Sequence, residues 1–219
     1  MANERSDVLE RAMGYPYPVP SHPFVQHGHG TLDPAEVDVD WRQREPLLAY
    51  GSNAAPAALA HKLALSDDPV LVVPAWLHGF DVVYSAHVSP YGAVPATLQP
   101  RAGHAVDVHV LHLDDAQVAA IDAYEPNYQR RQLHGISLRL EDGTALDAAE
   151  AYISLHGCLA IEGAVCSIAE RDEQTVLVLV RDRLAPDRDL DDFILAGIRD
   201  PALQASRTAE LRSDAIPFG

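Results

Sequence analysis

Two spacings of apolar residues recur along the chain, and they predict strands and helices in different places. Short apolar or alternating runs predict strands at residues 47–50, 106–113, 133–140 and 147–154, and one or two more within residues 76–89. Helical spacing with capping or helix-favouring residues predicts helices at residues 54–65, 114–124, 173–184, 190–198 and 202–212. Because the strands do not alternate regularly with long helices, a doubly wound parallel sheet is not expected. The pattern favours an α+β fold, a small mixed β-barrel or sheet with helices around it.

The composition divides the 219 residues into three segments. Residues 1–45 are predicted to form an extended N-terminal arm, because four prolines between residues 16 and 23 favour polyproline-like backbone. The aromatic residues of this arm indicate that it packs on the body of the protein. Residues 46–155 form the predicted body, and residues 156–219 a helical C-terminal extension packed on the same domain.

The charge and the hydropathy of the chain restrict its partners. The chain has 16 basic and 32 acidic residues, so its formal net charge of −16 would repel nucleic acid and anionic membranes. No apolar run reaches the roughly 20 residues of a membrane-spanning helix, and the N-terminal residues lack the apolar region of a signal peptide. We therefore expect a cytoplasmic protein with neither nucleic-acid nor membrane partners.

The first candidate for chemistry is the polar stretch in LLAYGSNAAP, residues 47–56. Gly51 permits a positive φ and close approach of a ligand, and Ser52 and Asn53 carry short hydrogen-bonding side chains. Asn53 is expected to cap the next helix, whose first N–H groups have no partner within the helix. Such a turn suits a carboxylate or a phosphate, although the same residues also occur in turns that bind nothing.

The second candidate is IDAYEPNYQRRQL, residues 121–133. Glu125 follows a predicted amphipathic helix and stands between Tyr124 and Pro126. These neighbours predict partial desolvation, which makes a carboxylate a better base. The alternative is a solvated acid at a helix end, paired with one arginine.

The two segments together resemble the γ-glutamyl cyclotransferase-like superfamily, to which plant avirulence-induced proteins and γ-glutamylamine cyclotransferases belong. The likeness rests on YGSN at residues 50–53 and, about seventy residues later, on IDAYE at residues 121–125 followed by Tyr128 and Arg130. It covers roughly residues 46–155. Many relatives have Glu-Gly and a slightly longer spacer before the tyrosine, whereas this chain has Pro126 and Asn127, which affects the shape of the substrate pocket.

The resemblance implies an enzyme that cyclises a γ-glutamyl group to 5-oxoproline and releases an amine or amino acid. The α-amine of the substrate attacks its own γ-carbonyl, so no metal or cofactor is implied. Glu125 would be the general acid and base, and Arg130 is expected to have a structural role. The residues implied in binding the γ-glutamyl substrate are Tyr50, Gly51, Ser52, Asn53 and Tyr128.

Two other functions stay open at this stage. One is a non-catalytic module of the same fold that binds a small molecule or a protein, with the arm and the helical extension serving an interface such as a homodimer. The other is an amide-transferring or γ-glutamyl-removing enzyme of a biosynthetic pathway, acting on a carrier or an antibiotic intermediate.

The remaining reactive residues have plain structural explanations. Glu150 and Glu162 are predicted to be solvated acids, and Glu162 is the reserve candidate for the catalytic acid. Three histidines at residues 22, 27 and 29 lack a matching carboxylate or cysteine set, so no metal site is predicted. Cys158 and Cys166 fit no zinc spacing and are predicted to be buried, reduced thiols.

Overall fold

The structure is a computed structural model that describes residues 2–64, 66 and 68–219. The chain divides into two compact units. One unit consists of Tyr17–Asp81 and Pro100–Leu155 and will be called the barrel unit. The other, the helical unit, consists of the residues up to Pro16, Val82–Gln99 and His156–Gly219.

Helices and strands are mixed along the chain, which confirms the predicted α+β class. Helices α1 to α6 are Ala2–Met13, Pro56–Lys62, Asp115–Asp122, Glu173–Leu184, Leu190–Arg199 and Pro201–Arg212. Strands β1 to β9 are Phe24–His27, Gly30–Leu32, Glu45–Ala49, Val70–Tyr84, Ala96–Leu113, Tyr128–Leu140, Ala145–Ser154, Ala160–Ile161 and Ala164–Val165. No helix in the described part of the chain is long and apolar enough to cross a membrane.

Five strands close into a barrel. Strands β4, β5, β3, β7 and β6 are neighbours in that order, and β6 pairs again with β4. The β3–β7 pair is parallel, whereas β3–β5, β6–β7 and β4–β6 are antiparallel, so the barrel is mixed, as predicted. The β1–β2 hairpin continues the sheet outward from β4.

The core of the barrel unit explains where its helices lie. Leu47 and Ala49, which alternate along β3, are buried in one cluster with Leu59 of α2 and with Val118 and Ile121 of α3. Burying a leucine side chain fully contributes about 1.5 to 3 kcal/mol, so this apolar face holds both helices on the barrel. Because α3 follows β5 directly, its first turn must be capped at the strand end. Asp114 makes that cap through a reciprocal capping box with Gln117.

The helical unit has a core of its own. Val176, Leu177 and Val180 of α4 are buried in a cluster with Phe193 of α5 and Leu211 of α6. This burial at helical spacing stabilises α4 although its sequence VLVLV favours strands locally. The predicted helix at residues 173–184 is confirmed to the residue, and α5 and α6 agree with their predictions within one residue at each end.

Some elements differ from the sequence-based expectation. Helix α2 begins at Pro56 and is shorter than the predicted helix, whose expected end at Leu65 lies outside the described residues. Residues 15–20 contain no helix or strand, but α1 and the β1–β2 hairpin in the same N-terminal segment were not predicted. The boundaries of the three predicted segments stay predictions.

One carboxyl group in the helical unit is buried and makes no ion pair within the described part of the chain. Glu173, at the start of α4, is 1% exposed, and its Oε1 accepts the backbone N–H of Val94 at 2.7 Å. Its Oε2 has no hydrogen-bond partner among the described residues. Burial raises the pKa of Glu173 well above its ordinary value, the Val94 hydrogen bond opposes this rise, and the nearby charge of Asp172 adds to it.

Replacing Glu173 should therefore change how stability depends on pH. In the unfolded chain the carboxyl ionises near its ordinary pKa of 4.5, while the folded protein keeps it protonated to higher pH. Folding stability is thus lost as the pH rises from that value toward the raised folded pKa. Glu173→Gln keeps an acceptor for Val94 but removes the titration. In urea unfolding between about pH 4 and 8, the free energy of unfolding of the variant should increase relative to that of the wild type as the pH rises.

The control for this experiment is Glu36→Gln, which removes an exposed carboxyl elsewhere in the chain. Its stability should follow the wild type at every pH. Parallel wild-type and Glu173→Gln curves would show that Glu173 ionises alike in the folded and unfolded chains.

Candidate active site

The turn after β3 has a different geometry from the expected one. Gly51 has φ −140° and ψ −141°, so it does not use the positive φ that glycine permits. A 3-10 turn at Ser52–Ala54 stands between the strand and α2, which moves the start of the helix to Pro56. The N-cap of α2 is consequently Ala55, with no side-chain cap, and the predicted capping role of Asn53 is wrong. Its side chain instead contacts Glu125 and Lys62, the last residue of α2.

Asn53 belongs to a network of three side chains around Glu125. The Oε1 atom of Glu125 accepts from Asn53 Nδ2 at 3.0 Å and from Lys62 Nζ at 2.6 Å. Lys62 Nζ also donates to Asn53 Oδ1, so the three side chains form a closed triangle of hydrogen bonds. The Glu125 and Lys62 side chains are only 11% and 12% exposed, which makes this ion pair largely buried.

The backbone around Glu125 is fixed from both sides. Its N–H donates to the carbonyl of Asp122 at the end of α3, and its own carbonyl accepts the N–H of Tyr128 at the start of β6. With Pro126 in the second position, residues 125–128 form a β-turn that suits a proline. The predicted partial burial of Glu125 is confirmed, although its neighbour Tyr124 is itself half-exposed. That ring is 47% exposed and meets His61, with the ring centroids 5.4 Å apart.

A second network joins β3, β7 and the end of α3. The hydroxyl of Tyr50 donates to the backbone carbonyl of Tyr152, and the hydroxyl of Tyr152 donates to Asp122 Oδ1 at 2.7 Å. Burial, the hydrogen bond to Asp122 and the nearby negative charges of Asp122 and Glu125 raise the pKa of Tyr152, so it stays a neutral phenol. The hydroxyl of Tyr50 is thus already used in a hydrogen bond to the protein's own backbone, at the carbonyl of Tyr152.

Arg130 pairs with two acids other than Glu125. Its Nε lies 3.1 Å from Asp122 Oδ1, and another guanidinium nitrogen donates to Glu150 Oε2. These two ion pairs agree with the structural role predicted for Arg130. Glu150, predicted to be a solvated acid, is a half-buried partner of this guanidinium.

These side chains surround an open cleft of about 520 Å³, within the usual size of a small-molecule site. Of the residues implied by the sequence, Glu125 and Tyr128 line the cleft, whereas Tyr50, Gly51, Ser52 and Asn53 are not among the lining residues. Asn53 is hydrogen-bonded to the lining residue Glu125, and Tyr50 to the lining residue Tyr152. The lining residues are Asp122, Glu125, Pro126, Tyr128, Gln129, Arg130, Glu150 and Tyr152.

The turn also offers backbone donors. The first N–H groups of a helical turn have no acceptor within that turn. In the part of the chain that the structure describes, the N–H groups of Ser52 and Asn53 donate to no other acceptor. The side chain of Asn53 brings this turn into direct contact with Glu125.

Sequence analysis missed two residues of this site, Lys62 and Tyr152. One signal for Lys62 was available: it is the single lysine among the 16 basic residues of the chain. For Tyr152 there was no signal, because its place follows from the parallel pairing of β7 with β3.

The other candidates lie elsewhere. Glu162 is exposed in the tight turn between β8 and β9, with a positive φ of 53°. Cys158 and Cys166 are buried and free, as predicted, and burial raises the pKa of Cys158 to about 12. Among the described residues, no group of three or more His, Cys, Asp or Glu side chains is arranged to hold a metal ion.

Comparison with protein families gives one match, which covers more than half of the chain. Residues 47–172 match the family model described as "Gamma-glutamyl cyclotransferase, AIG2-like". The matched range contains the turn after β3, Lys62, Glu125 and every residue that lines the cleft. No curated protein matches the chain.

Several solved structures are similar to the chain at low sequence identity. A solution structure of an Arabidopsis thaliana protein is 22% identical, with a TM-score of 0.41, over 54% of this chain and 74% of that one. A second Arabidopsis thaliana protein is 18% identical, with a TM-score of 0.39, over 78% and 85% of the two chains. A structure titled "Gamma-glutamyl cyclotransferase" is 17% identical, with a TM-score of 0.39, over 50% and 66%.

The hydrogen bond from Tyr152 to Asp122 can be tested by Tyr152→Phe. Since Asp122 keeps its ion pair with Arg130, we expect the free energy of unfolding to fall by about 1 kcal/mol, measured by urea denaturation. Tyr124→Phe, at a half-exposed ring, is the control and should leave stability unchanged. Equal stability of Tyr152→Phe and the wild type would mean that this hydrogen bond does not help to hold the cleft together.

Proposed function

This chain belongs to the γ-glutamyl cyclotransferase, AIG2-like family, and we propose that it cyclises a γ-glutamyl group to 5-oxoproline with release of an amine or amino acid. The observation that carries the proposal is Glu125, a largely buried carboxylate at the wall of a 520 Å³ cleft. Asn53, from the turn after β3, holds one of its oxygens.

The reaction needs a base, an acid and a site for the carboxylate of the substrate. The α-ammonium of the substrate first loses one proton to solvent, and the resulting amine attacks the γ-carbonyl carbon while Glu125 accepts a second proton from the attacking nitrogen. The bond from that carbon to the leaving nitrogen then breaks while Glu125 returns the proton to this nitrogen. One carboxylate serves both steps because the proton it accepts is the proton it donates.

The backbone N–H groups of Ser52 and Asn53 would bind the α-carboxylate or the oxyanion that forms at the γ-carbon. Arg130 is the other positive group at the cleft, but Asp122 and Glu150 already occupy it. The turn after β3 is therefore a better binding site for an anion than Arg130. Tyr128 would form part of the pocket wall, as would Tyr152.

We also propose a cytoplasmic setting in which the substrate is a small molecule, and neither nucleic acid nor a membrane is a partner. The net charge of −16 supports this, because it opposes binding to phosphate-rich surfaces. A homodimer stays part of the proposal.

The central residue is tested by Glu125→Gln, which keeps the size of the side chain and removes its ability to accept a proton. Purified protein would be incubated with γ-glutamyl amino acids, γ-glutamyl amines and glutathione, and 5-oxoproline measured by mass spectrometry. We expect product from the wild type and a loss of about a hundredfold or more in the variant, the low end of what an acid–base group contributes.

The control is Glu162→Gln, which alters the exposed reserve candidate and should keep full activity. Equal activity of wild type and Glu125→Gln would remove Glu125 from the chemistry. Absence of product from every substrate would favour the non-catalytic binding module, or an enzyme acting on a conjugate larger than those supplied.

Metal removal should leave the reaction unaffected. The nucleophile is the amine of the substrate itself, so no step requires a metal-bound water or a Lewis acid. Dialysis of the active protein against a chelator should leave the rate of 5-oxoproline formation unchanged. A loss of activity that added metal restores would contradict the proposed mechanism.

A further inference from the structure

The most informative basic residue of the chain is its single lysine. Fifteen of the 16 basic residues are arginines, and the exception is Lys62. This lysine forms an ion pair with the proposed catalytic residue, with Lys62 Nζ 2.6 Å from Glu125 Oε1. The ammonium also donates to Asn53 Oδ1, so two of its three donors are used within the site.

The shape of the ammonium group suits this position. Lysine places a compact charge at the end of a flexible chain, whereas arginine has a broad, planar group with five donors. At Lys62 the charge must fit between the oxygens of two side chains that are themselves hydrogen-bonded 3.0 Å apart. A compact donor satisfies both oxygens without separating Asn53 from Glu125.

Lys62 and Asn53 distinguish the two oxygens of Glu125. Both donors act on Oε1. Within the described residues Oε2 accepts no hydrogen bond, and it is not among the buried polar atoms that lack a partner. Since Glu125 lines the cleft, Oε2 is the oxygen available to a bound molecule.

The helix that carries Lys62 is firmly held. Leu59 and Leu63, on either side of it in sequence, are buried in the core of the barrel unit. His61, the residue before Lys62, packs its ring against Tyr124, the residue before Glu125. The end of α2 is therefore connected to the turn that carries Glu125 by two contacts, His61 with Tyr124 and Lys62 with Glu125. Because α2 is held rigidly by the core, Lys62 can hold the Glu125 carboxylate in one orientation.

We propose that Lys62 is a positioning residue that holds Glu125 by Oε1, so that Oε2 exchanges the proton with the substrate amine and the leaving nitrogen. This inference rests on the proposed cyclotransferase function. Without Lys62 the largely buried carboxylate would lose its counter-charge and would be free to rotate toward another donor. A misplacement of about 1 Å at a reacting group can cost a hundredfold in rate.

The test uses Lys62→Met, Lys62→Arg, Glu125→Gln and the double variant Lys62→Met/Glu125→Gln. We expect Lys62→Met to lower kcat for 5-oxoproline formation by about 10- to 100-fold with KM changed less than about threefold. Lys62→Arg keeps the charge and should recover part of kcat. Adding Lys62→Met to Glu125→Gln should have almost no further effect, because Lys62 acts only through that carboxylate.

Two further measurements separate positioning from folding. Arg139→Met removes an exposed positive charge from β6 and should keep full kcat, and circular dichroism establishes that each variant is folded at the assay temperature. The single lysine also gives one side-chain ammonium signal in lysine-¹⁵N-labelled protein, which Glu125→Gln should shift whether or not a substrate is turned over.

The outcomes separate the two proposals. A wild type that forms no 5-oxoproline overturns the proposed function and the role of Lys62 in it. An active wild type with unchanged kcat in folded Lys62→Met overturns the positioning role alone. The positioning role is also overturned if the double variant loses the product of the two single-variant losses in kcat. It is overturned as well if Glu125→Gln leaves the chemical shift of the Lys62 ammonium unchanged.

Discussion

The parallel pairing of β3 with β7 is the constraint on which the cleft depends. It sets Leu47 opposite Glu150 and Leu48 opposite Ala151, so the two strands run toward the same edge of the barrel. The residues just past this register, in the turn after β3 and at the end of β7, therefore come together. A slip of one residue would turn Leu47 and Ala49 away from the core that they share with α2 and α3, and it would break the contact between Tyr50 and Tyr152.

Three separate pieces of chain then meet at Glu125. Asn53 comes from the 3-10 turn after β3, Lys62 from the last position of α2, and Glu125 from the turn between α3 and β6. Each piece is anchored by apolar residues in one core, so the polar triangle does not have to hold itself together. A buried ion pair adds little stability in general, but its hydrogen bonds specify one orientation of the carboxylate. This is what proton transfer requires.

Site residues could be predicted where neighbouring residues in the sequence identify them. They could not be predicted where their position depends on which strands and helices lie side by side in the fold. The turn at residues 50–53 and Glu125 were identified because strand, turn and helix signals surround them. The capping role predicted for Asn53 was wrong because an extra 3-10 turn displaced the start of α2. Lys62 was overlooked because helical spacing alone does not say that the end of α2 lies beside a turn more than sixty residues later.

The most direct test of the account follows the oxygen and nitrogen atoms of the substrate. A γ-glutamyl amide labelled with ¹⁵N at its α-amine would be turned over in H₂¹⁸O, and the products analysed by mass spectrometry. Cyclisation through Glu125 predicts 5-oxoproline that keeps the ¹⁵N in its ring and contains no ¹⁸O. Glutamate carrying one ¹⁸O would show that water, not the substrate amine, attacks the γ-carbonyl, and would contradict the account.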